Sequence, residues 1–205
     1  KATDAVIERE SGGPFRLPVD RVFSIPGFGT VITGTLISGT VHPGEQAMVY
    51  PRELETRIRQ IEVHDTKVEE ASAGQRVALN LAGLGVDEVE RGAVIATPGS
   101  LAPATAIDAR LLVLGHSEGP VEHRQRLRLH TGTAEILGRV YLLESEEINP
   151  GESGLVQFRL EQEVAVRRGD RFVIRTYSPA TTIGGGMVLE PVASKHKRFD
   201  SKVLT

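Results

Sequence analysis

The chain has 205 residues, a hydrophobic fraction of 40%, aromatics at 4% with no Trp, and a net charge of −3. This is enough for one or two domains whose core is mostly Val, Ile and Leu. No cysteine is present, which excludes disulfides, thiolate metal sites and a Cys nucleophile. No apolar run approaches the roughly 18 residues of a membrane span and no signal-peptide pattern is found, so the cytosol is the expected compartment. The slightly acidic balance argues against a broad nucleic-acid footprint, and an RNA partner would have to be met by local patches.

Lys1 to Ser11 reads as the end of a helix that stops at Gly12-Gly13. The chain opens on Lys1, as a segment of a longer protein would. Strands and turns follow. Val22, Phe23 and Ile25 favour a strand, Pro26-Gly27-Phe28-Gly29 breaks it, and Thr30-Val31-Ile32-Thr33 resumes it, which is a hairpin. A turn at Val41-His42-Pro43-Gly44-Glu45 leads to a short strand from Gln46 to Tyr50. Further strands are expected over Thr56 to Val63, Gln75 to Ala82 and Gly92 to Thr97. Val77, Leu79 and Leu81 alternate with Arg76, Ala78 and Asn80, which buries one face and turns Arg76 to the other. Pro98-Gly99-Ser100-Leu101-Ala102-Pro103 reads as an inter-domain linker.

The second half has its own strands, over Ala106 to Leu114, Glu122 to His130, Ala134 to Leu143, Leu155 to Leu160, Arg171 to Thr176 and Ile183 to Glu190. Asn149-Pro150-Gly151-Glu152 and Arg168-Gly169-Asp170 are turns. Val156, Phe158 and Leu160 alternate as in a barrel strand with one wet face. On Glu122 to His130, alternation puts Glu122, Arg124, Arg126, Arg128 and His130 on one face. His116, His123 and His130 recur every seven residues, a spacing that alternates faces on strands, so no metal site is expected. Lys195-His196-Lys197-Arg198 is a basic tail.

The run from Asp20 to Thr35 resembles the opening hairpin of the second domain of translational GTPases of the elongation factor Tu class. The form Phe15-Arg16-Leu17-Pro18-Val19-Asp20-Arg21-Val22-Phe23 is closer to the selenocysteine-specific elongation factors, the SelB type. Arg175-Thr176-Tyr177-Ser178-Pro179 and Ile183-Gly184-Gly185-Gly186 resemble the closing signature of the third domain, so the resemblance covers about residues 13–192. It implies an all-β fold of two consecutive β-barrels. Residues 1–12 would end a preceding G domain, 13–100 would form the aminoacyl-pocket barrel, and 101–192 would form the barrel that contacts the tRNA stem. Residues 193–205 would be a basic linker to winged-helix domains that read an mRNA stem-loop. GTP and Mg would belong to the G domain. This chain lacks the G-x-x-x-x-G-K-[ST] phosphate loop, so no cofactor and no catalytic activity are expected of it. The implied partners are selenocysteyl-tRNA, the ribosome, the G domain of the same protein and, through the winged-helix domains, the mRNA stem-loop; a monomer is expected.

The resemblance also implies an aminoacyl pocket made by Asp20, Arg21, Thr33, His64 and Arg76, with Phe23 at a family position. Arg21 replaces the second residue of an acidic pair, and Arg76 stands where elongation factor Tu has a neutral Asn. A selenol is far more acidic than a hydroxyl, so selenocysteine enters as an anion and needs charge-assisted partners. Arg21 and Arg76, helped by His64, are expected to grip the selenolate and to discriminate against serine. Asp20 would hold the α-amino group or orient an arginine. Plainer readings stand beside these. Arg76 as a surface partner of Glu70 or Glu90, Arg21 in a cross-strand pair, His64 as a surface histidine, Phe23 as core and Thr33 as a strand former each account for the residue type.

In the second barrel, Arg124, Arg126, Arg128 and His130, with Arg175 and Tyr177, are the expected tRNA backbone contacts. The alternative is a solvated face balanced by Glu135, Glu144 or Glu146. Gly184-Gly185-Gly186 would admit RNA backbone closely, or form a turn or bulge. Two other functions remain open: an initiation factor γ subunit that binds methionyl-tRNA, and a β-barrel module that contacts only protein.

Overall fold

The computed structural model describes residues 12–199, and the helix expected over Lys1 to Ser11 lies outside them. The chain divides into two compact units between Ser100 and Leu101.

The first unit runs β1 (Arg16–Ile25), β2 (Gly29–Thr35), β3 (Thr40–Val41), β4 (Gln46–Tyr50), β5 (Leu54–Val63), β6 (Thr66–Val68), β7 (Ala71–Ser72), β8 (Arg76–Leu81) and β9 (Val94–Ala96). The antiparallel order β4-β9-β1-β2-β8-β5 closes into a barrel through β4–β5 pairing, and β6 extends β5. Alternation drives the closure, since Leu17, Ile32, Ile58, Leu79 and Ile95 all turn inward and are buried.

Strand β1 breaks that alternation once. Its register against β2 shifts between Val19 and Arg21, so Asp20 is an extra residue. Upstream, Leu17 and Val19 face the core; downstream, Val22 packs against it, and Phe23 and Ile25 are exposed. Phe23, whose plainer reading is barrel core, is therefore a surface residue that the bulge has turned outward. A second shift on β5, between Ile58 and Gln60, has the opposite result: it keeps both Ile58 and Ile61 buried.

The second unit runs β10 (Ala104–Val113), β11 (Val121–Glu122), β12 (Arg126–Thr131), β13 (Ala134–Leu142), β14 (Glu147–Ile148), β15 (Ser153–Val164), β16 (Arg171–Thr176) and β17 (Thr182–Glu190). Its barrel order is β10-β15-β13-β12-β16-β17, closed by β17–β10 pairing. Phe158 and Phe172 meet edge to face at 5.2 Å in a core with Ile107, Leu111, Val140 and Val188.

Three expectations change here. The strand expected over Glu122 to His130 is interrupted: Gln125 N donates to Glu122 O, and Arg124 takes a φ of 67°. The glycine triplet is not a turn but the middle of β17, where a Cβ at Gly184, Gly185 or Gly186 would collide with a neighbouring carbonyl, and a register shift against β16 lies beside it at Ile183. Finally, Gln157, on the face of β15 expected to be wet, is fully buried. The tail covers it. Gln157 Nε2 donates to Asp108 Oδ1 and Ser194 O, both at 2.8 Å, and His196 Nε2 lies 2.6 Å from Asp108 Oδ2. Arg198 reaches Ser145 O and Glu146, and Phe199 N donates to Leu143 O. Residues 193–199 thus lie against the second barrel.

Candidate aminoacyl pocket and arginine face

On the outer face of the first barrel, register places Arg21, Thr33, Ala78 and Glu62 directly opposite one another across β1, β2, β8 and β5. The next row is Phe23, Val31, Asn80 and Gln60. Two concavities open between these rows. The first, of about 180 Å³, is bordered by Thr33, Glu62, His64, Asp65 and Arg76 over a floor of Val77 and Ala78. The second, of about 110 Å³, is mainly apolar, with Ile25, Phe28, Val31 and Asn80 around it, and shares Glu62 and Ala78 with the first.

His64 and Asp65 are the two residues of the β5–β6 hairpin loop, with φ of 49° and 61°. That geometry is the one a two-residue hairpin demands, and it sets both side chains at the rim. Arg76 Nη2 donates to Asp20 Oδ2 at 2.7 Å. Its partner is therefore Asp20 and not Glu70, whose carboxylate lies 3.2 Å from His42. Asp20 follows inward-facing Val19 and so faces outward, and the bulge sets Arg21 on the same outer face beside it.

The structure thus gathers Thr33, His64 and Arg76 around one concavity with Asp20 at its edge, while Arg21 is not among the side chains that line it. Two carboxylates that the sequence reading missed, Glu62 and Asp65, also line it, so its charge is mixed. Glu62 sits at an outward position readable from alternation, but only register brings it opposite Ala78. Each concavity holds one polar atom that is shielded from solvent and makes no hydrogen bond: Thr33 Oγ1 in the first and Asn80 Oδ1 in the second. Such atoms are uncommon in folded proteins and ask for a partner.

The hydrogen bond from Arg76 holds the Asp20 carboxyl below the usual carboxylate range, with Arg91 and Arg21 adding to it. A depressed value means the pair is intact at neutral pH and is lost only as pH falls through that value. An NMR titration of the Asp20 carboxyl is expected to show a midpoint below that of an ordinary aspartate. Arg76→Gln should return it most of the way. An ordinary midpoint in the wild type would show that the pair does not persist in solution.

On the second barrel, Arg126, Arg128 and His130 project from β12 opposite buried Leu127 and Leu129. Arg126 makes a two-pronged pair with Glu161, both contacts at 2.8 Å, and its guanidinium lies 4.6 Å from the Tyr177 ring centre. Arg128 pairs with Glu135, donates to Tyr177 O, and stands opposite Arg175. Burial holds the His130 imidazole below its ordinary value, so its 4.0 Å approach to Glu135 is not an ion pair at neutral pH. Arg126, Arg128, His130, Arg175 and Tyr177 therefore share one face, with Glu135 and Glu161 as the balancing acids. Glu144 and Glu146, the other candidates, turn to Leu155 N and Arg198. Arg124 leaves this stripe because its left-handed backbone carries it toward Tyr141, 5.7 Å away.

Comparison with known proteins agrees with this architecture. Residues 29–96 match the elongation factor Tu domain 2 family and residues 108–195 match the beta-barrel domain of the selenocysteine-specific elongation factor. The chain is 40% identical over 191 residues to a selenocysteine-specific elongation factor of Desulfomicrobium baculatum, covering 93% of this chain and 30% of that protein. It is 37% identical over 185 residues to elongation factor Tu 2 of Streptomyces avermitilis, covering 88% of this chain and 47% of that protein. The chain thus spans less than half the length of these relatives. An elongation factor Tu-type barrel followed by the barrel particular to the selenocysteine factors places this chain in the family of selenocysteine-specific elongation factors.

Proposed function

We propose that this chain is the tRNA-holding middle portion of a cytosolic factor that delivers selenocysteyl-tRNA to the ribosome, with GTP bound and hydrolysed on a separate G domain. The observation that carries this reading is the pair of adjoining concavities on the barrel that matches elongation factor Tu domain 2. One has a charged rim and the other is mainly apolar, and each holds an unpaired buried polar atom. An aminoacylated RNA end has those two halves: a charged amino acid and a flat base.

The amino acid occupies the polar concavity in this scheme. Arg76 spends one donor on Asp20, and a guanidinium has others in the same plane. Those donors and the His64 imidazole take the selenolate. Glu62 and Asp65 take the α-ammonium. Asp20 orients Arg76 and does not touch the ligand, and Arg21 contributes only to the surrounding field. Phe28, exposed at the hairpin tip, packs on the base. The arginine face of the second barrel holds the tRNA stem. A methionyl ligand would leave Arg76 and His64 without an anionic partner, which disfavours the initiation-factor reading.

The test uses the full-length protein with GTP and measures protection of selenocysteyl-tRNA and seryl-tRNA against ester hydrolysis. Protection of the selenocysteyl ester alone supports the proposal. Equal protection of both would leave a general tRNA-delivery factor.

A further inference from the structure

Residues 193–199 cross the outer face of the second barrel as a strap. The row beneath is Asp108 on β10, Gln157 on β15 and Tyr141 on β13, directly opposite one another. Ala193 N donates to Ala106 O on β10 at 3.0 Å, and Phe199 N donates to Leu143 O just past β13 at 2.8 Å. The strap therefore spans three strands, or about 10 Å. Its side chains alternate: Lys195 and Lys197 are exposed, while His196 and Arg198 turn to the barrel.

Polar contacts hold it there. His196 Nε2 lies 2.6 Å from Asp108 Oδ2, His196 N donates to Gln157 Oε1 at 3.4 Å, and His196 O accepts from Arg159 Nη2 at 3.0 Å. Gln157 Nε2 donates to Ser194 O, and Arg198 Nη2 donates to Ser145 O and Glu146 Oε2. No strap residue belongs to the barrel core, and the apolar side chains Val192 and Phe199 are about half-exposed. The charges are unbalanced as well. Lys195, Lys197 and Arg198 share the strap and Arg159 lies under it, against the carboxylates Asp108 and Glu146. That positive surplus opposes docking. Undocking would also leave no buried group without a partner. Gln157 keeps Arg159 Nε at 2.9 Å and Asp108 at 2.8 Å, and the strap's own groups return to water.

We infer that residues 193–199 are a latch that docks on the second barrel and leaves it as a unit while the barrel stays folded. Docked, the latch ties the course of the chain at Phe199 to the β10–β15–β13 face. Released, it uncovers Asp108, Gln157 and Arg159. The coupling is reciprocal: a partner that draws the basic strap away exposes this patch, and a partner that occupies the patch releases the strap. The contact between His196 and Asp108 is its centre, because both side chains are shielded from water, at 19% and 15% exposure. The Arg198–Glu146 pair contributes little, since Glu146 is 79% exposed. The latch stands apart from the RNA-delivery reading and needs no ligand.

The test is amide hydrogen exchange of the full-length protein, read by mass spectrometry on peptides from the strap, β13 and β15. The Ala193, His196 and Phe199 amides are the reporters. A latch exchanges more slowly than an unstructured peptide but at least about 10²-fold faster than Val140 and Phe158, which wait for the barrel to open. His196→Ala should speed strap exchange about tenfold and leave β13 and β15 unchanged. Asp108→Asn should do the same from the barrel side, and the double substitution should add little, as loss of one shared contact requires. Strap exchange at the rate of the barrel amides would make the segment a fixed seam and overturn the inference. Unprotected exchange in the wild type would overturn it too, because the strap would then not dock. Unchanged exchange in His196→Ala would remove the contact assigned as its centre. Should Asp108→Asn loosen β13 and β15, His196→Ala, which alters only the strap, decides alone.

Discussion

Replacing Arg76 by Gln is expected to cut the preference for selenocysteyl-tRNA over seryl-tRNA by about 10²-fold, chiefly by weakening the selenocysteyl complex. A hydrogen bond to a charged group is worth about 1.5–3 kcal/mol, and each 1.4 kcal/mol is tenfold. The loss stops short of a fully desolvated ion's because Arg76 is half-exposed, at 52%, and keeps Asp20 as a partner when serine is bound. Gln preserves length and a donor but removes the charge. Ester-protection assays on both tRNAs measure the effect, and seryl-tRNA protection should change little. An undiminished preference would move selectivity away from this concavity.

Gly186→Ala should prevent the second barrel from folding, at a cost above about 4 kcal/mol. A Cβ there would lie 1.9 Å from Arg110 O and 2.9 Å from the Phe172 ring. The first obstacle is backbone within the β10–β17 pairing that closes the barrel, so it cannot move aside as a flexible side chain would. Urea unfolding followed by amide NMR should show second-barrel signals such as those of Val140 and Phe158 collapsed without denaturant. A normal spectrum would mean that the strands slide past one another more easily than their register suggests.

Much of the fold is readable from alternation and turn chemistry. Val77, Leu79 and Leu81 bury and Arg76 does not, and Arg171 to Thr176 is a strand with the bounds its residues suggest. What is lost is whatever depends on a second strand. Nothing around Arg139 or Arg159 says that they face each other. Gln157 reads as a wet-face residue because its cover, Ser194 and His196, lies 37 and 39 residues away. Arg124 reads as one of a stripe because no residue type announces that a non-glycine will take a left-handed backbone. In the candidate pocket, the identities of Thr33, His64 and Arg76 are legible from the family resemblance. The mixed charge is not, because Glu62 and Asp65 join them only through strand pairing and a hairpin loop.

The bulge at Asp20 shows how little material such a change requires. Had β1 paired through Asp20 without the bulge, Arg21, Phe23 and Ile25 would take up the inward parity of Leu17 and Val19. An arginine would then enter the core, with every residue of the chain unaltered. What this strand presents to a ligand is therefore written in its pairing register as much as in the kinds of its residues. Deleting Asp20 is expected instead to leave every other side chain of β1 on its present face and to remove only the carboxylate that holds Arg76.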